Sequence, residues 1–561
     1  MSVIDEIISE AHSQLIPFNE EIIKTYRESQ IKKSAAHMDF IFNEITKLTK
    51  DQIKYEGYRL MYPEERVSHW IQTAKPRSKN VDILHTELSM FDYVFEADNQ
   101  KYHSYMFLPF LRNDAITMSG SKYYIQNVIG DNLFFYIQDG VGLKVIRGPI
   151  MFMRNLRYTY QDVDGNYYND DIITTQVHFK KIKLTKKNLA TTLLLYILIY
   201  HGFYETCEIF GVKKGDIDFS LQVNEDDKKD YAYFKIRGVV KDKNASVIPT
   251  PQDLLNDTES FYLRVKRSLL REGTIGQRRL IASLMYNMSY FDKCNSTMYQ
   301  NNEELIHTLR HTDMIYKIII GKTTFGMDET ESRAHNYANQ HWENLDESYI
   351  DAITQRKFRN MGLEFTTTHE LFVYMFEHID EQIVGQSPMC LYGKKLIVNE
   401  ILFSGTTETL FKRVYDYTKH NRPLTSKELF ILFKAGTREI MKISKHNSLV
   451  RLSVQFYNDN WLLTIGGKKI RATGSGSGNI ASKDKGKKKP SKSKNAVDQI
   501  EYAANSSMFA VESINSYPTQ NPGASGTINP HMCIENLETG IIIKTDFQKP
   551  LDVFDTFVSG K

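Results

Sequence analysis

The chain has 561 residues, 41% of them hydrophobic and 25% charged, enough for roughly three or four compact units with cores of their own. Its four cysteines, Cys207, Cys294, Cys390 and Cys533, lie far apart with no paired spacing, which argues against a zinc site or a disulfide framework and for a reducing, intracellular setting. The net charge of +3 conceals an asymmetry: residues 422–494 hold 17 Lys or Arg and 4 Asp or Glu, so this window carries +13 and the remainder −10, the footprint of a polyanionic partner.

In chain order, the N-terminal MSVIDEIISEAHSQ carries early acids and no continuous apolar core, so it reads as neither signal peptide nor anchor. Residues 1–50 are expected to be helices with acids and lysines outside. From Asp82 to Arg157 the pattern turns to short β-rich runs at Tyr105–Phe110, Ile116–Met118, Tyr123–Val128, Leu133–Ile137 and Lys144–Ile146, separated by Gly, Asn and Asp turns. Asp164-Gly165-Asn166 is a further hairpin turn between Tyr-rich strands. Residues 184–340 read as mostly helical, including Thr258–Leu270 and Gly276–Asn287. Within them the apolar run Leu193–Tyr200 is too short to cross a bilayer and predicts a buried helix. Residues 345–445 mix helix and strand, and the rest is loop-rich. The expected class is α+β, multi-domain, with mixed helices and antiparallel sheets.

Several patterns that suggest chemistry fail on their spacing. Gly321-Lys322-Thr323-Thr324 has Tyr316 where a phosphate loop needs its first glycine. His307 and His311 stand four apart on an expected helix, but Thr308 takes the place of a zinc protease's general base, which leaves a surface helix with ordinary histidines. Asp162, Asp164, Asp170 and Asp171 do not follow a calcium loop and read as solvated hairpin carboxylates. No metal site and no self-contained catalytic centre emerges. The basic window, by contrast, contains Arg438, Lys442, Lys445, Arg451, Lys468, Lys469 and Arg471. After the Gly/Ser run Gly474–Gly478 come Lys487, Lys488 and Lys489 in the segment Lys483–Lys494. Gly, Ser and Lys leave residues 474–497 nothing to bury, so a mobile polycationic loop suited to phosphate is expected there.

Five stretches, in order, resemble the β subunit of multi-subunit DNA-directed RNA polymerases. Thr73–Glu96 is similar to a Pro/Arg lead into a strand of the first domain. Tyr105–Gln126 is similar to a hairpin whose second turn is here Ser119-Gly120, with Gly120 supplying the turn glycine. Leu189–Gly211 resembles a leucine-rich helix closing on Gly202, followed by Glu208-Ile209 and Phe210-Gly211; Ala190 replaces the lead-in proline and Tyr196-Ile197 replace Arg-Ala. Asp351–Phe372 matches at Arg356, Arg359 and Gly362. Lys442–Trp461 is similar to the stretch that enters the fork. Beyond it Tyr517-Pro518-Thr519 matches His-Pro-Thr, and Pro530–Ile541 retains Pro530, Glu535 and Gly540 while Met532, Ile534, Asn536 and Glu538 depart from the pattern.

The resemblance implies protrusion, lobe and fork regions: N-terminal helices and a protrusion-like part over 1–150, a lobe-like domain over 151–340, a second protrusion-like part over 341–441, and a fork-like region over 442–561. Because it stops after the fork, it implies the N-terminal half of a β chain split as in giant tailed phages. Separate β C-terminal and β′ chains, a promoter-specificity subunit, template DNA and the RNA transcript would be partners; no membrane is implied. The catalytic Mg²⁺ is expected on β′, with none bound here. Glu535 is the supporting candidate at the fork, and Gly120, Gly202, Gly211, Pro518, Pro530 and Gly540 are the motif positions. The expected location is the cytoplasm of an infected bacterium. The alternative is a non-enzymatic phage structural or DNA-packaging protein whose basic loop binds nucleic acid.

Overall fold

The computed structural model describes residues 38–65, 67–68, 88–97, 99–109, 116–118, 121–125, 128–130, 133–137, 139–145, 148–177, 191–240, 258–291, 299, 301–325, 330–346, 350–385, 395–397, 411–415, 418, 449–451, 464–465, 511–512 and 526–528. The chain divides into two compact units. The first joins Met1–Asn132 to Gly385–Lys561, and the second is Leu133–Val384.

In the first unit, helix α1 spans residues 38–48 and buries Met38, Ile41, Phe42 and Ile45, the i, i+3, i+4, i+7 positions of one stripe. Phe42 packs edge-on against Tyr93 and Phe95, with ring centroids 5.0 and 4.9 Å away. Those rings belong to β2 (Leu88–Ala97), the middle of an antiparallel sheet between β1 (Ile53–Leu60) and β3 (Gln100–Pro109). Ala97 faces Gln100 where β2 passes to β3, and Asn99 there takes the positive φ typical of tight hairpins. Next, β4 (Ile116–Met118) pairs with β5 (Ser121–Ile125), and β6 (Val128–Gly130) follows. The chain then leaves for the second unit. On its return, Lys395–Ile397 pairs with β6 and Leu449–Arg451 pairs with β5, so strands on either side of an inserted domain close the same unit. A last small sheet joins Thr464–Ile465, Gly526–Ile528 and Val511–Glu512.

The second unit opens with β7 (Phe134–Ile137), β8 (Gly140–Val145), β9 (Gly148–Gln161), β10 (Tyr167–Val177) and β11 (Thr191–Thr192). Together they form one antiparallel sheet in the order β11-β10-β9-β8-β7. Helix α2 (Leu193–Ile209) follows directly, and every residue from Leu193 to Ile199 is buried. Then come β12 (Ile217–Ser220), β13 (Tyr231–Val240) and β14 (Thr258–Lys266), which make a second sheet in the order β12-β14-β13. The remaining helices are α3 (Arg267–Arg271), α4 (Ile275–Phe291), α5 (Asn302–His311), α6 (Met314–Phe325), α7 (Glu331–Asp346), α8 (Ala352–Arg359) and α9 (Thr368–Gly385). Both sheets and these helices share one apolar core, in which Phe152, Leu194, Phe234, Leu263, Ile281 and Phe372 are fully buried. Among the described residues, no helix is long and apolar enough to cross a membrane.

The α+β class holds, and so do the helices around Leu193–Tyr200 and Gly276–Asn287. The strand expected at Lys144–Ile146 begins earlier, at Gly140, and the run Tyr123–Val128 is split between β5 and β6. Thr258–Leu270 is corrected: its first nine residues are strand β14, and only Arg267–Arg271 is helical. The reason is a period of two, with Phe261, Leu263 and Val265 fully buried and Tyr262, Arg264 and Lys266 on the opposite face. Residues 184–340 therefore hold a three-stranded sheet as well as helices.

Candidate functional site

The leucine-rich segment becomes a bent helix whose geometry is set by two glycines. Inside α2, Gly202 has φ 76° and ψ 177°, a region essentially closed to residues with a Cβ. The Thr206 hydroxyl donates to the Gly202 carbonyl at 2.6 Å, a side-chain bond made at the bend itself. At the far end the Gly211 N–H donates to Glu208 and the Val212 N–H to Cys207, each at 2.9 Å. This pair of bonds is a Schellman cap, and Gly211 supplies its left-handed residue with φ 71°. Both motif glycines are thus explained by backbone geometry.

The bend leaves Tyr200 47% exposed. One face of its ring stacks on His369, centroids 3.4 Å apart, which in turn stacks on Trp342 at 5.3 Å. Trp342 stacks on Tyr196 at 5.9 Å, and the Tyr196 hydroxyl bonds His341 Nε2 at 2.9 Å. Burial pushes His341 down to about 3, so the imidazole is neutral in this core. Burial, with help from Asp218 and Glu208, pushes the Cys207 thiol up to about 12, which makes it a poor nucleophile. At the start of α2, Thr192 donates to Asn287 at 2.8 Å, and Thr191 shares hydroxyl bonds with Thr323 and Thr324. These groups tie α2 to its neighbours. Among the described residues, no three His, Cys, Asp or Glu side chains converge on a metal position.

The acidic hairpin needs a correction. Asp162 is not solvated but 5% exposed, and it accepts from the Asn166 N–H at 2.8 Å and the Asn166 amide at 2.9 Å while pairing with Arg267 at 3.4 Å. It orders the Asp164-Gly165-Asn166 turn and fastens it to α3. Asp164 pairs with the same arginine, Asp170 with Arg278 and Asp171 with Arg157. Elsewhere the buried Arg279 of α4 pairs with Asp380 of α9, which also pairs with Arg154 of β9. Removing the carboxylate from such a pair strands a buried charge, at a cost of about 3–5 kcal/mol.

His307 and His311 lie on the exposed side of α5 with rings 4.7 Å apart, and Asn301 caps that helix by accepting from the Glu304 N–H at 2.8 Å. Gly321, Lys322 and Thr323 sit buried inside α6, not in a loop with open N–H groups. Arg356 and Arg359 lie near the end of α8, whose start is capped by Asp351 through bonds of 2.9 Å from the Ile353 and Thr354 N–H groups. Glu370 and Thr367 form the reciprocal cap of α9. Burial opposes ionisation of Glu370, but hydrogen bonds from Thr366 and Thr367 outweigh it and hold the carboxyl below its usual value.

Of the expected nucleic-acid contacts, Arg451 lies in the strand paired with β5, opposite Tyr123. Its side chain, and Arg438, Lys442, Lys445, Lys468, Lys469, Arg471, Lys487, Lys488 and Lys489, lie outside the described residues, as do Glu535, Pro518, Pro530 and Gly540. Gly120 does as well; the strands on either side of it pair at Met118 and Ser121.

The structure brings together one set of residues that reading by helical period misses. On the outer face of the second sheet, β13 presents Tyr231, Tyr233, Lys235 and Arg237, and β14 presents Ser260, Tyr262, Arg264 and Lys266. The antiparallel register sets Lys266 opposite Tyr231, Arg264 opposite Tyr233 and Lys235 opposite Tyr262. The guanidinium of Arg264 lies 4.3 Å from the Tyr231 ring centroid. The signal for this face is the alternation in YAYFKIRG and SFYLRVK.

Compared with known proteins, the chain is matched over residues 2–544 by the family model described as non-virion RNA polymerase subunit. No curated protein matches it. A match that begins at the second residue and passes through both units covers nearly everything described above. The chain belongs to the non-virion RNA polymerase subunit family, and its activity is that of an assembled polymerase.

Proposed function

We propose that this subunit is the N-terminal half of a split β chain in a phage-encoded, multi-subunit, DNA-dependent RNA polymerase. In that role it forms part of the DNA cleft and the fork beside the active centre. The observation that carries the reading is topological. A first unit is interrupted at Asn132 by a complete second unit and resumed at Gly385, with strands from the return segment pairing with β5 and β6. The resembled β chains have this order, a protrusion in two parts around a lobe, and the motif order in the sequence agrees with it.

Nucleotidyl transfer in such enzymes uses Mg²⁺ ions that stabilise the attacking and leaving oxygens, and we assign these to the β′ partner. This chain contributes positioning: the basic residues between Arg438 and Arg471 and the lysines at 487–489 for backbone phosphates, with Glu535 orienting groups at the fork. Separate β C-terminal and β′ chains are its partners. The family match disfavours the structural or packaging alternative, which accounts for the basic loop but not for the interrupted unit. Affinity purification of the tagged chain from infected cells tests the reading. Recovery of chains matching β C-terminal and β′ sequences supports it, and recovery of virion structural proteins alone refutes it.

A further inference from the structure

We propose that His307 and His311 form a surface chelate for one borderline divalent transition-metal ion, of the Zn²⁺ to Cu²⁺ class, held at the last turn of α5. The two imidazoles stand four residues apart on the exposed side of the helix, with ring centroids 4.7 Å apart. A metal bound by ring nitrogens at about 2.0–2.1 Å lies about 3.2 Å from each ring centre, so this separation corresponds to an angle of about 95° at the metal, that of a cis pair of ligands. Thr308, where a zinc protease has its general base, excludes that chemistry but not a chelate, which needs no base.

The pair differs from the other histidines of the second unit in that its nitrogens are uncommitted. His201 bonds Glu205, His335 bonds Asn339, His341 bonds Tyr196 and His378 pairs with Glu381. Neither His307 nor His311 makes a hydrogen bond or an ion pair; the rings touch each other, and His311 also lies 6.0 Å from the Tyr204 ring of α2. The helix beneath them is fixed. Leu305, Ile306 and Leu309 are buried, Asn301 caps the start, and the Tyr316 hydroxyl donates to the Leu309 carbonyl at 2.8 Å. Closing on an ion therefore asks for side-chain rotation and no change of backbone. Arg310 turns away to Asp218 at 2.8 Å and to the Phe219 carbonyl, so its charge is met elsewhere, and the C-terminal end of a helix carries the partial negative charge that favours a cation. Imidazole suits Zn²⁺, Ni²⁺ and Cu²⁺, whereas Mg²⁺ takes oxygen ligands and should not compete. Two protein ligands leave the remaining positions to water, so occupancy follows the free metal concentration. The site stands on α5 alone and is independent of the subunit's place in a polymerase.

The test adds Zn²⁺ to the full-length chain in excess Mg²⁺ and follows diethyl pyrocarbonate labelling of each histidine by mass spectrometry. Zn²⁺ should protect His307 and His311 in parallel, while labelling of the part-exposed His103 and His378 stays as it was. In His307→Ala the protection of His311 should be lost, and in His311→Ala that of His307. Both side chains are exposed and free of hydrogen bonds, so both variants should melt close to the wild type in the absence of metal, which shows that the loss is one of ligation and not of fold. Labelling of the pair that Zn²⁺ leaves unchanged, or protection of one histidine that survives replacement of the other, would overturn the proposal.

Discussion

Replacing Gly202 by alanine isolates a backbone effect, because a Cβ added there meets no atom within 4 Å. With φ 76° and ψ 177° the position lies where only glycine is comfortable, which costs an L-residue about 1–3 kcal/mol. Alanine also narrows the unfolded ensemble, which returns about 0.4–1 kcal/mol, so Gly202→Ala should lose about 1.3 kcal/mol net. Gly211, with φ 71°, is in the ordinary left-handed region, where the penalty of about 1 kcal/mol is nearly cancelled by the same unfolded-state term. Calorimetry of the full-length chain should show the transition of the second unit, residues 133–384, falling by about 3–5 °C for Gly202→Ala and by about 2 °C or less for Gly211→Ala. Emission from Trp342, two rings along the stack from Tyr200, should report the same transition. Equal losses at the two glycines, or a gain at Gly202, would refute the claim that the bend depends on that backbone conformation.

Acid should destabilise the second unit through His341. Burial lowers its pKa to about 3 in the folded chain against an ordinary 6.5 in the unfolded one, so the unfolded chain takes up the proton first as pH falls. Stability from this group is present above pH 6.5 and declines below it, by about 1.4 kcal/mol at pH 5.5 and about 2.7 kcal/mol at pH 4.5. Urea titrations across that range should show the slope, and His341→Gln should flatten it. Deleting Gly474–Lys494 should leave the melting transitions in place and weaken DNA binding more at low salt than at high salt, whereas a cooperative loss of stability would show that the segment packs. Glu535→Gln in the assembled polymerase should slow elongation or early RNA retention while subunit assembly and salt-dependent DNA binding stay as they were. Wild-type transcription by that variant, with a defect in Glu538→Gln instead, would move the fork register by three residues.

Local pattern exposes much of this fold. The apolar run at Leu193–Tyr200 has to be a buried helix, and Asp164-Gly165-Asn166 has to turn between Tyr-rich strands. The bend at Gly202 is not legible, since a glycine after a helical run reads equally well as an end, and only tertiary packing carries the helix past it. The run Thr258–Lys266 reads as helix because its apolar residues are single, at every second position, and the polar ones between them are long and helix-tolerant. Lys266 and Arg264 reach Asp216 and Asp227 only through pairing with segments more than twenty residues away in sequence. Asp162 reads as surface for a similar reason: its burial depends on Arg267, 105 residues on. The basic residues from Arg438 to Lys489 and the fork positions around Glu535 fall outside the described residues, so the sequence remains their only support.

The central claim, that this chain is the N-terminal half of a split β subunit without polymerising activity of its own, is tested most directly by reconstitution. The purified chain should be given template, NTPs and Mg²⁺, first alone and then with the separate β C-terminal and β′ chains that the account expects as its partners. The account predicts no RNA from the chain alone and none from the other subunits without it, with synthesis appearing only when they are combined. Steady synthesis by the chain alone, or full activity of the remaining subunits in its absence, would contradict it.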